Sequence, residues 1–473
     1  MSVCKCGWYA ILMAVFFFSC KKSFLEVTDK TVLLKQAYVK DLTSTQDYLN
    51  GIYINLVSDY AYGTKLPYAE IIADNMKPVN GGRYLMTEYM WTQQANSTSG
   101  KSNSNELWRK LYRIIRDCSF VSECADKYKN ENESSARSIK GQALGIRALM
   151  HFVLVNTFAQ SYNFTNDGSH PGIPYITTSD LESKETRQTV AEVYQGIEDD
   201  LKSAISLLSQ SDIKTEVFNY QAAKGLLARA YLFSGEFSSA KEMATQVLSS
   251  VPLLIEGYPE KLYTREETEA LFRLPPIVSE EDNYYGIFTG YYASPKWEMA
   301  YWATDDIAKI LQESADDKRA NWVSRSPDGW VITKFPTGAT GLFPVVEGDH
   351  YQVLLRSSEM CLIASESCAH LGQLDSARIY LQKIRSRANP SVSPMPIDQG
   401  KPALLDSIYK ERRKELAFDG LRMFDLLRWK QGVNRSDANS DMAKSLSYPN
   451  NKAIAPIPQQ EVELSGFSQN PGY

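Results

Sequence analysis

Apolar residues recur at steps of three and four through most of the chain. In IKGQALGIRALMHFVLVNTF (139–158), Ile139, Ala143, Ile146, Met150, Leu154 and Phe158 fall on one face of a helix. TVAEVYQGIEDDLKSAISLL (189–208) has the same period, and Thr189 with Glu192 three residues later makes a capping box at its start. The connection between them, DGSHPGIPYI, is rich in turn formers.

Two later stretches share a plan of helix, glycine turn and second helix. They are ARAYLFSGEFSSAKEMATQVL (228–248) and ESCAHLGQLDSARIYLQKIR (366–385). Gly235 stands five residues before Ala240, and Gly372 five before Ala377. The spacing resembles tetratricopeptide units, in which small residues let paired helices approach closely. Two copies are too few for a free-standing solenoid, and helices predicted over 103–126 and 139–158 supply further layers. The fold class expected is mainly α, a tetratricopeptide-like scaffold of helical pairs with long irregular loops and a few short strands.

The period breaks down in two places. Residues 59–102 and 250–350 are rich in Pro, Gly and aromatics, with only short extended runs such as SPDGWVITKFPTGATGLFP. Long irregular segments on a rigid scaffold are where binding residues concentrate. A third departure opens the chain: MSVCKCGWYAILMAVFFFSCKK has a lysine, an apolar run from Trp8 to Phe18, then Ser19-Cys20. That run is shorter than the roughly 20 residues needed to cross a bilayer, and its layout is that of a secretory signal. Because a cysteine follows the small residue, 1–19 reads as a bacterial lipoprotein signal and Cys20 as the acylated anchor. Phe17 departs from the aliphatic residue usual there. Residues 20–473 are then expected to form a single domain.

Composition narrows the function. Of 473 residues 23% are charged, and the net charge of −5 argues against a nucleic-acid partner, which would need a dense basic face. The 28 Tyr and 8 Trp supply flat amphipathic rings, most of them expected in the interior, and such rings are also the usual surface for sugars and other ligands with apolar faces. No Gly-rich strand-to-helix unit cradles a nucleotide, and the absence of C-x-x-C and H-E-x-x-H, with only four His, leaves no zinc motif. No cofactor or metal is therefore expected. Cys118, Cys124, Cys361 and Cys368 are expected to be small buried hydrophobes; within each sequence pair the separation of about 9–10 Å along a helix is too long for a disulfide, which leaves open only a bridge between different helices.

The densest chemistry is ERRKELAFDGLRMFDLLRW (411–429). Glu411 and Glu415 lie one turn apart on a helix starting near Pro402 and closed by Gly420, a placement that does not let two carboxylates flank a substrate. Arg422, Asp425 and Arg428 recur at i, i+3 and i+6, where opposite charges pair along one face. Acids match bases, so the expectation is an ion network tying helices together, with no catalytic role.

This stretch is similar to the C-terminal signature of the SusD/RagB family, close to E-R-R-x-E-[LF]-x-F-[ED]-G-x-R-x-[FY]-D-L-x-R. Glu411, Arg412, Arg413, Glu415, Phe418, Asp419, Gly420, Arg422, Phe424, Asp425, Leu426 and Arg428 match. GQALGIRA (141–148), GIPYIT followed by RQTVAEVYQGIEDDL, and PIPQQEVELSGFSQNPGY resemble further family segments in the same order. The resemblance implies an outer-membrane lipoprotein of the Bacteroidota, with four tetratricopeptide-like units. Such a lid sits on a SusC-like TonB-dependent transporter and captures nutrients without chemistry. The cargo it implies is an oligosaccharide, or a peptide as in the RagB branch. Family binding residues follow no strict motif, so the candidates rest on position and chemistry: Trp91 with Arg83 and Asn96, and Trp297, Trp302 and Trp322 with Tyr284, Tyr285, Tyr291 and Tyr292. A pyranose stacks its apolar face on such rings while Arg, Asn and Asp bond its hydroxyls.

Overall fold

The computed structural model describes residues 35–57, 65–79, 85–96, 104–183, 185–275, 301–335, 351–398 and 400–473. The chain divides into two compact units, Met1–Lys40 and Asp41–Tyr473. In the first, the described residues contain one helical turn, Lys35–Tyr38.

The second unit is built from helices that pack each on the next. Its first half holds α1 (Leu42–Asn55), the short α2 (Lys65–Ile71) and α3 (Met86–Tyr89), then α4 (Ser104–Lys127), α5 (Glu133–Phe158) and α6 (Val190–Leu207). Next come α7 (Tyr220–Ser234), α8 (Phe237–Ser250) and α9 (Asp305–Leu311), followed by α10 (Ser357–His370), α11 (Leu374–Ala388), α12 (Lys401–Glu415), α13 (Arg422–Arg428) and α14 (Gln459–Ser465). The helix α1 packs on α4, and contacts continue through α5, α6, α7, α8, α10, α11 and α12. Local signals set the ends. Thr189 and Glu192 form the capping box that starts α6. Gly235 (φ 84°) and Gly372 (φ 76°) take the left-handed turns between α7 and α8 and between α10 and α11, a conformation that glycine adopts without steric cost. The pairs α7–α8 and α10–α11 are the tetratricopeptide-like units, stacked through α8 and α10.

Strands occupy the irregular segments. A four-stranded antiparallel sheet in the order β1 (Met76–Pro78), β3 (Tyr301–Ala303), β5 (Trp330–Ile332), β4 (Val323–Arg325) joins residues from both. A separate antiparallel pair, β2 (Ala270–Leu274) with β6 (Gln352–Arg356), is wholly buried. All four described cysteines are buried free thiols.

One boundary differs from the expected one. The helix α12 ends at Glu415, five residues before Gly420. Phe418 takes a left-handed φ of 67°, and the buried Glu70 carboxylate collects the N–H groups of Gly420 at 2.9 Å and Leu421 at 3.1 Å. Those donors satisfy a side chain from α2 instead of continuing the helical ladder. Burial pushes the Glu70 carboxyl above its usual range.

The charged stretch lies inside the molecule. Arg319, Arg356, Arg387, Lys334 and Lys414 meet Glu269, Glu411, Glu415, Asp317 and Asp419 in one cluster of five cations and five anions. Burial pushes Glu415 up, but the Arg387, Arg356 and Arg319 guanidiniums outweigh it and hold the carboxyl well below the usual range. A second group runs from Arg229 through Glu359, Arg412, Asp425 and Arg428 to Glu366, crossing α7, α10, α12 and α13. Arg422 leaves its own helix face to clasp Asp74, at 2.6 Å and 2.9 Å. These ions fix how the helical scaffold meets the strand-bearing segments.

Candidate functional site

The four-stranded sheet is where the two irregular segments become one surface. Along β1 and β3 buried and half-buried residues alternate, and the register pairs Lys77 with Trp302. Alternation puts these two on the face opposite Met76 and Ala303. Trp302 is half-buried and lies against the backbone of Gly329, where an added Cβ would sit 2.7 Å from the ring. A side chain at 329 would displace the indole, so glycine lets the ring pack against the sheet backbone.

Lys77 is the polar group that the register sets beside this ring. Lys77 Nζ donates to Asp437 Oδ2 at 2.6 Å, and the same carboxylate accepts from the Asp305 N–H at 2.9 Å. Trp330, half-buried on β5, donates its indole N–H to Asp305 Oδ1 at 2.9 Å, and the Arg325 guanidinium lies 5.2 Å from its ring centre. Trp330 pairs with Ala303 and Arg325 with Trp330, so these two lie on the other face of the sheet; the Trp302 face offers an indole beside the Lys77–Asp437 ion pair, chemistry that can receive a sugar ring, apolar face down and hydroxyls outward. Among the described residues it holds no pair of unengaged acids for hydrolysis. Among the described residues no group of three or more His, Cys, Asp or Glu is placed to hold a metal ion.

The other candidate residues are dispersed. Trp91 is 6% exposed, has a left-handed φ of 55°, and donates its indole N–H to Ile72 O at 3.0 Å. Its ring lies 4.3 Å from the Arg435 guanidinium, which itself donates to five main-chain carbonyls, so Trp91 is core and not a surface platform. Trp322 is also enclosed, 3% exposed with Lys334 Nζ 4.5 Å above its ring. Both rings are occupied by cations of the protein, which removes them as faces for a ligand. Asn96 is exposed on a turn. Arg83, Tyr284, Tyr285, Tyr291, Tyr292, Trp297 and Cys20 lie outside the described residues. Lys77, Asp305, Arg325, Trp330 and Asp437 were not singled out by the sequence; the alternation in GWVI was the available signal for Trp330, while the register that brings in Lys77 and Asp437 is long-range. No helix among the described residues is long and apolar enough to cross a membrane.

Comparison with known proteins bears on the whole chain. Residues 23–232 match a SusD-like family model described as starch-binding, associating with the outer membrane, and residues 278–473 match the SusD family model. The SusD-like protein P2 of Formosa agariphila is 23% identical over 504 aligned positions, covering 95% of this chain and 96% of that protein. Among solved structures, a putative sugar binding protein from Bacteroides vulgatus is 27% identical, with a TM-score of 0.80 over 92% of this chain and 99% of the other. A SusD superfamily protein from Bacteroides thetaiotaomicron is 26% identical, with a TM-score of 0.81 over 91% of this chain and 100% of the other. With two successive family models spanning most of its length and the same helical-pair scaffold, this chain belongs to the SusD/RagB family.

Proposed function

We propose that the protein is a cell-surface lipoprotein that captures oligosaccharides and hands them to a SusC-like TonB-dependent transporter of the outer membrane, without cleaving them. The observation that carries this reading is the Trp302 face. It is a half-buried indole packed against Gly329 with Lys77 beside it across the strands, in a chain whose structural relatives include a sugar binding protein. The acids nearby support binding over hydrolysis, since Asp305 and Asp437 are each engaged by a protein donor. Acylation of Cys20 would hold the protein on the membrane, since more than one acyl chain gives stable anchoring.

Capture and delivery are separable. Replacing Trp302 by Ala removes the platform from a residue that is not enclosed, so glycan binding should fall about tenfold or more while the thermal midpoint stays near that of the unaltered protein. Unaltered affinity would dismiss the platform. Purification of the C-terminally tagged, lipidated protein from detergent-solubilised outer membranes tests delivery. A TonB-dependent barrel of the SusC type should accompany it in near-equal amount, and recovery of the tagged protein alone would count against delivery.

A further inference from the structure

A cavity of about 450 Å³ opens where α9, α12 and α13 meet, lined by Asp74, Asp306, Lys309, Glu313, Arg413 and Arg422 among others. Its acids are already engaged. Asp74 is clasped by Arg422, whose Nε and Nη2 donate at 2.6 Å and 2.9 Å, and lies 3.3 Å from Arg413 Nη2. Asp306 accepts from the N–H and hydroxyl of Ser436, both at 2.8 Å. Glu313 pairs with Lys410 at 2.6 Å.

Its cations are not used up in the same way. Arg413 donates from Nε to Asn75 Oδ1 and from Nη2 to Asp74 O, each at 2.9 Å, which leaves Nη1 without a hydrogen-bond partner among the described residues. Arg422 spends Nε and Nη2 on Asp74, and its Nη1 is left in the same way. Lys309, exposed at the rim, has no ion pair among the described residues. Burial draws the Arg413 guanidinium down to about 10 despite the Asp74 carboxylate, with the neighbouring Arg422 cation adding to the fall.

We propose that this cavity binds a small oxyanion, a carboxylate or sulfate group, between the free Nη1 groups of Arg413 and Arg422 with Lys309 closing over it. Planar guanidinium forks suit such groups because they donate along fixed directions and remain charged. The volume lies in the lower part of the range for ligand pockets, about 300–1,000 Å³, room enough for one acid-bearing sugar ring. The site shares no residue with the Trp302 face and does not depend on the capture reading.

Titration calorimetry at low salt on soluble protein starting at Lys21 tests it, with sodium sulfate, sodium glucuronate and uncharged glucose as probes. At least one oxyanion should bind and glucose should not; binding of sulfate alone points to an inorganic anion, of glucuronate to a sugar acid. Lys309→Glu, at an exposed position, should weaken that binding at least tenfold. Arg413→Gln should abolish it, with circular dichroism reporting whether the fold survives. Absence of binding by either oxyanion overturns the proposal, as does an affinity that Lys309→Glu leaves unchanged.

Discussion

Replacing Glu415 by Gln removes one negative charge from the buried cluster while changing almost no volume. Oε1 accepts from Arg356 Nη1 at 2.6 Å and Arg387 Nη2 at 2.7 Å; Oε2 accepts from Arg319 Nη1 at 3.1 Å and the Tyr258 hydroxyl at 2.9 Å. A Gln carbonyl can keep one of these pairs of donors, but its NH2 then points donor to donor at the other pair. Losing one charge-assisted bond costs about 1.5–3 kcal/mol. Five cations then face four anions in the buried cluster, and stripping one partner from a buried ion pair costs about 3–5 kcal/mol, a figure that includes the first. Glu415→Gln should therefore lose about 3–5 kcal/mol in urea unfolding followed by circular dichroism. The pH dependence has a definite sign. The folded carboxyl is held below its unfolded value, so its contribution is present above about 4.3 and fades as pH falls through the folded value. The gap between variant and unaltered protein should thus be constant near neutrality and narrow only in acid. A loss below about 1 kcal/mol, the size of an exposed ion pair, would refute the assignment of this signature to the ionic core.

Glu267 titrates in the opposite sense: burial, with Glu269 adding to it, pushes its carboxyl up to about 8, and Oε1 has no hydrogen-bond partner. The folded state keeps a proton that the unfolded chain loses above about 4.3, so this group costs about 1.4 kcal/mol of stability per pH unit up to about 8. Glu267→Gln should gain on the unaltered protein across that window in urea titrations, and parallel curves would exclude the shift. Trp91→Ala should destabilise by about 3–5 kcal/mol, the cost of emptying a core site, with a lower unfolding midpoint; near-native stability would put Trp91 back among the surface candidates. Cys20→Ser should abolish incorporation of radiolabelled fatty acid, and continued labelling would defeat the anchor.

The scaffold was legible because its signals are local. The three-four period of 139–158, the Thr189–Glu192 box and the Gly235 and Gly372 turns each act within one or two turns of helix, and each reappears in α5, α6 and the paired helices. The end of α12 was not, because the competing acceptor, Glu70, comes from about 350 residues away. The aromatic candidates failed to separate for the same reason. In sequence Trp91, Trp302 and Trp322 look alike: an indole in a polar, turn-rich stretch. What distinguishes them is distant: Arg435 against Trp91, Lys334 against Trp322, and for Trp302 a strand register that leaves one ring face on the outer side of a sheet. The sequence carried the chemistry of the binding rings but not which of them are already taken.

Affinity electrophoresis through gels containing individual polysaccharides, run on soluble protein from Lys21 beside its Trp302→Ala variant and paired with an assay for new reducing ends, tests capture without cleavage most directly. Retardation by a polysaccharide, lost in the variant and unaccompanied by new reducing ends, is the predicted result. Free migration in every gel, or release of reducing ends by the purified protein, would contradict it.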